Sequence, residues 1–123
     1  MKTRDWTWLR DSLRLRLRSD ALEVFQDNNE RLMLDSARGF TLDLRSRLAL
    51  RDGRVLASFA GIESFAIEIE SSDAGDRYRL FLARAGKCDI LIGETRHQLE
   101  CSRIAARMGT LTGKPVVARE QVP

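Results

Sequence analysis

The chain has 123 residues, of which 43% are hydrophobic and 32% charged. That balance excludes a disordered chain and lets one domain bury a core without disulfide or metal. Net charge is +3, but residues 1–18 hold six basic against two acidic side chains, and the remainder 15 against 16. So local a basicity argues against a dedicated nucleic-acid binder, whose positive charge usually covers a whole face.

From Leu13 to Arg18, leucine and arginine alternate with period two, as in a strand with one buried face. A tight turn at Ser19-Asp20 then sets Leu17 against Leu22, Leu15 against Val24 and Arg16 against Glu23. Asp27-Asn28-Asn29 is the next turn, because these residues tolerate positive φ. Arg31 to Asp35 reads as a short strand, and Ser36 to Gly39 as a loop. Phe40, Leu42, Leu44, Leu48 and Leu50 then mark one face of a single long strand; Thr41, Asp43, Arg45, Arg47 and Arg51 mark the other. Asp52-Gly53 signals a hairpin that pairs Arg51 with Arg54, Leu50 with Val55, Leu48 with Ala57 and Ser46 with Phe59.

Phe65, Ile67 and Ile69 alternate with Glu68 and Glu70. Across a loop from Ser71 to Asp76, Glu70 pairs with Arg77, Glu68 with Arg79 and Ile67 with Leu80. That register turns Ile67, Ile69, Tyr78 and Leu80 to the core. Residues 88–92 form a last short strand. A helix follows from about Arg96 to Thr112, opened by a Thr95/Gln98 capping box. His97, Cys101, Ile104, Ala105, Met108 and Leu111 share one stripe, flanked by Arg96, Arg103 and Arg107. Gly113-Lys114-Pro115 stops the helix, and Val116-Val117 adds an extended segment.

The expected architecture is one α+β, mainly β domain. Residues 1–11 form an N-terminal arm, 12–94 an antiparallel sheet, 95–112 the helix and 113–123 a tail. The run from Ala57 to Ile69, the segment Arg77-Tyr78-Arg79-Leu80-Phe81-Leu82, and the helix with its Gly113-Lys114-Pro115 ending carry a resemblance. Over about residues 12–118 the pattern resembles short bacterial domains of the pleckstrin-homology-like fold. The resemblance implies a strongly curved antiparallel sheet, or partly open barrel, of about seven strands capped by one C-terminal helix. That fold hosts lipid binders, peptide binders and scaffolds alike, so it implies no single function.

Chemistry-bearing residues are few. Cys88, His97 and Cys101 are the only set with metal or thiol potential, with His97 and Cys101 spaced i, i+4 and Asp89 near. They lack a second ligand pair and an oxyanion hole, so the favoured reading is two reduced, metal-free cysteines. Asp73 and Asp76 read as a solvated hairpin loop, since a calcium loop needs a longer acidic register. With one histidine and no Gly-rich phosphate loop, the expectation is a non-enzyme that uses no cofactor. Trp6, Trp8, Arg14, Arg16 and Arg18 are the candidate interaction surface. The function expected is a small non-catalytic binding or scaffold module that recognises protein or self-associates. The alternatives are an anionic lipid or nucleic-acid surface met by the N-terminal arginines, and a metal or thiol site at Cys88, His97 and Cys101. No run approaches the roughly 20 apolar residues of a membrane helix, and the start of the chain lacks the apolar core of an export signal. Two cysteines make no disulfide framework, so a reducing cytoplasm is the expected compartment.

Overall fold

The structure is a computed structural model that describes Leu22 and residues 24–34 and 39–120. The expected strand at 13–18 and its turn at Ser19-Asp20 lie outside the described residues. Five strands form the first sheet, sheet A: β1 (Val24–Asp27), β2 (Arg31–Leu34), β3 (Thr41–Asp43), β4 (Leu48–Arg51) and β5 (Arg54–Ser58). They pair antiparallel in chain order. Side-chain chemistry makes the turns. Asn28 Oδ1 accepts from the backbone N–H of Glu30 and Arg31 at 2.8 and 3.0 Å. At Asp52-Gly53 both residues have positive φ, 53° and 75°, as a two-residue hairpin turn of matching twist requires.

One strand was expected from Phe40 to Arg51; two are found. Asp43 Oδ1 accepts from the N–H groups of Arg45 and Ser46, and Arg47 takes φ 58°, so the chain reverses at residues 44–47. Leu42 therefore pairs with Ala49, and both are fully buried. Leu48 and Leu50, expected on the core face, lie on the other side of β4. A bulge after Ala49 then moves the β5 register, so Leu48 meets Ser58 rather than Ala57, while Leu50–Val55 and Arg51–Arg54 pair as expected.

A 3-10 turn at Phe59–Gly61, capped by Ser58 Oγ accepting from Gly61 N–H, leads into the second sheet. Sheet B contains β6 (Ile62–Ser72), β7 (Gly75–Arg84), β8 (Ile90–Thr95) and β9 (Val116–Glu120) in the order β8-β7-β6-β9. The charge-matched register holds: Glu70 pairs with Arg77, Glu68 with Arg79 and Ile67 with Leu80. Tyr78 and Leu80 are buried and Ile67 packs on the core, but Ile69 is 41% exposed. It is the last apolar inward position of β6, and the core ends there. The expected loop at 71–76 contracts to a two-residue turn, because Ser72 already pairs with Gly75. The strand expected at 88–92 begins only at Ile90 and runs to Thr95.

Helix α1 spans Gln98–Thr112, two residues shorter at its start than expected. No capping box forms: Thr95 Oγ1 accepts from His97 N–H, and His97 itself is the N-cap. Cys101, Ile104, Ala105 and Met108 are buried and Leu111 is partly so, while His97 is exposed. Gly113, at φ 73°, ends the helix by donating to Gly109 O. The chain then returns as β9, parallel to β6, which departs from the expected all-antiparallel order. The helix supplies the crossover that a parallel neighbour needs. Gly109 makes the return possible, because a Cβ there would sit 2.9 Å from Lys114 O and 3.1 Å from Val116 Cγ2.

Among the described residues the architecture is thus mainly β with one helix, but the single curved sheet expected is divided into two. Both sheets and the helix share one core, including Phe40 and Leu42 of the sheet A half, Phe65 and Leu80 of sheet B, and Ile104 and Met108 of α1. Polar contacts tie the same parts. Arg107, expected on a solvent flank, is exposed and also forks onto Asp27 at the end of β1, with N–O distances of 3.0 to 3.3 Å.

Ile104→Ala or Met108→Ala should each cost about 2–5 kcal/mol by cavity formation. Arg103→Ala should cost under about 0.5 kcal/mol. Denaturant midpoints compare them, and equal losses would mean the stripe does not anchor the helix. Gly109→Ala should destabilise by about 1–3 kcal/mol through overpacking, although alanine is the better helix former by about 1 kcal/mol. A stabilised Gly109→Ala protein would show that β9 does not press on the helix.

Candidate interaction face

Trp6, Trp8, Arg14, Arg16 and Arg18, the surface expected from sequence, lie outside the described residues. The Cys88, His97 and Cys101 set is not assembled. Cys88 is exposed in the segment before β8, His97 is exposed at the helix start, and Cys101 is buried beneath the helix. Burial, followed by the charge of Glu100, pushes the Cys101 thiol up to about 11, so at neutral pH it is a protonated core side chain. Asp89 is taken by the guanidinium of Arg119. Among the described residues no group of three His, Cys, Asp or Glu side chains could hold a metal ion.

The outward face of sheet B is closed by its own charges. Arg79 bridges Glu70 at 2.8 Å and Glu94 at 3.1 Å, and Arg119 reaches Glu68 as well as Asp89. The hydrogen bond to Glu94 leads in raising the Arg79 pKa, and that to Asp89 does so for Arg119. Arg119 stands on β9 and Asp89 precedes β8, at opposite edges of the sheet. Three strand spacings, roughly 14 Å, separate such edges in a flat sheet. The two side chains meet because sheet B curls. On this face Ser64, Ala66 and Ala83 are buried, although they stand outside the shared core.

The outward face of sheet A differs. Met33, Thr41, Leu50 and Val55 are cross-strand neighbours on β2, β3, β4 and β5. None of the apolar three belongs to the core. Met33 and Leu50 are half-buried, and Val55 is 57% exposed. A groove of about 330 Å³ is lined by Met33, Thr41 and Leu50 of this row, with the charged side chains of Arg31, Asp43 and Asp52 and with Gly39 and Gly53. Hydrogen bonding from the Ser46 N–H leads in holding the Asp43 carboxyl below its usual range; the N–H of Arg45 and the charge of Arg31 act the same way. Asp43 is therefore ionised at neutral pH and engaged in the turn. The Thr41 hydroxyl donates to Gly39 O at 3.1 Å. The groove thus sets apolar side chains beside charged ones.

Sequence reasoning missed this face because it read residues 40–51 as one strand. The available signal was Asp43 followed by Ser46, an aspartate placed to accept from the N–H groups of the next two or three residues. No family model matches the chain, and neither does any curated protein or any solved structure.

Thiol labelling at pH 7 tests the disposition of the cysteines. One thiol, Cys88, should react in the folded protein, and Cys101 only after denaturation. The raised Cys101 pKa also has a sign. The unfolded thiol loses its proton near 9 while the folded one keeps it to about 11, so this contribution to stability is present below pH 9 and fades as pH rises toward 11. Two fast-reacting thiols in the native protein would contradict the burial.

Proposed function

We propose that the chain is a small non-catalytic binding or scaffold module whose outward face of sheet A seats a protein partner. The observation that carries this reading is the row Met33, Leu50 and Val55, which lies outside the core; Met33 and Leu50 line a groove, and Val55 stands exposed beside Leu50. Apolar side chains that contribute nothing to a core and sit together within a polar rim are the usual composition of a protein-contact surface. The mixed rim charge of Arg31, Asp43 and Asp52 favours a protein over a phosphate-rich surface, since two of the three are acidic. The pleckstrin-homology-like architecture belongs to the same proposal. It is supported by consecutive antiparallel strands bent into two sheets and by the helix that follows them, with β9 as an addition.

Site-specific photo-crosslinking in cells tests the reading. A photoreactive residue at Val55 should yield protein adducts that a probe at Leu99, 61% exposed on α1, does not. Val55→Lys should leave the unfolding midpoint within about 0.5 kcal/mol of the parent. In that background a probe at Met33 should lose its adducts. Equal adduct yields from positions 55 and 99, or adducts at Met33 that survive Val55→Lys, would refute the sheet A face as the contact surface. A second copy as the partner would appear as an adduct of twice the chain mass.

A further inference from the structure

We draw no further inference here: the strongest candidate, the outer edge of β9 with its exposed Val116 and Val117, carries nothing because nothing in the structure shows what covers it.

Discussion

The fold depends on how two sheets that share no backbone ladder are held face to core, and arginine side chains make that join. Arg51, on β4 of sheet A, donates to the carbonyls of Leu91 and Ile92 on β8 of sheet B, both at 2.9 Å. The register of β7 and β8 skips Ile92, because a bulge falls between the Leu80 and Phe81 pairs. A bulge takes a residue out of the ladder, and its polar groups then need partners elsewhere. Arg51 supplies two donors at that point, with its charge over the Phe40 ring at 5.8 Å. Hydrogen bonds from a charged donor are worth about 1.5–3 kcal/mol, roughly twice a neutral one. Arg84 repeats the arrangement from the other direction, donating from β7 to Leu56 O of β5 and to Cys88 O. Each sheet thus lends the other donors, and the apolar core closes between these joins.

The helix seals what the arginines hold. A helix of this length is marginal alone, and its sequence contains Gly109 in the interior, at a cost in propensity. The cost is offset by what the missing side chain allows. Gly109 O accepts from both Gly113 and Lys114, the chain turns at once, and β9 docks in parallel on β6 within contact of the helix. Val116 packs against the site where a Cβ would stand. The crossover is tight because of one absent methyl group, so helix and final strand form a single packing unit.

Legibility followed the kind of signal each element carried. The β6–β7 hairpin was readable because charge and apolarity agree on both faces: Glu68 and Arg79 on one, Ile67 and Leu80 on the other. Asp52-Gly53 was readable because positive φ is needed there and those residues accept it. The reversal at 44–47 was missed, since Leu44-Arg45-Ser46-Arg47 contains no Gly, Pro or Asn and its signal is the Asp43 side chain that makes the turn. Parallel docking of β9 depends on tertiary contact with β6, which no local pattern encodes. The Arg107–Asp27 pair joins residues eighty apart and was equally hidden. Cys101 was read correctly as a core residue because it stood on the helical apolar stripe.

The hidden turn also decides where a candidate site exists. Paired residues of an antiparallel hairpin share a face, so Leu42 opposite Ala49 fixes an even-numbered inner face on β3 and an odd-numbered one on β4. Had residues 40–51 run as one strand, Leu48 and Leu50 would have joined Phe40 and Leu42 inside. The reversal sends them outward and gives the core the smallest side chain of the three, Ala49. Ala49 is fully buried in that core, while the leucine beside it lines a groove with Met33. The local interaction that shapes the interior, Asp43 accepting from its own turn, is therefore also what creates the apolar surface outside it.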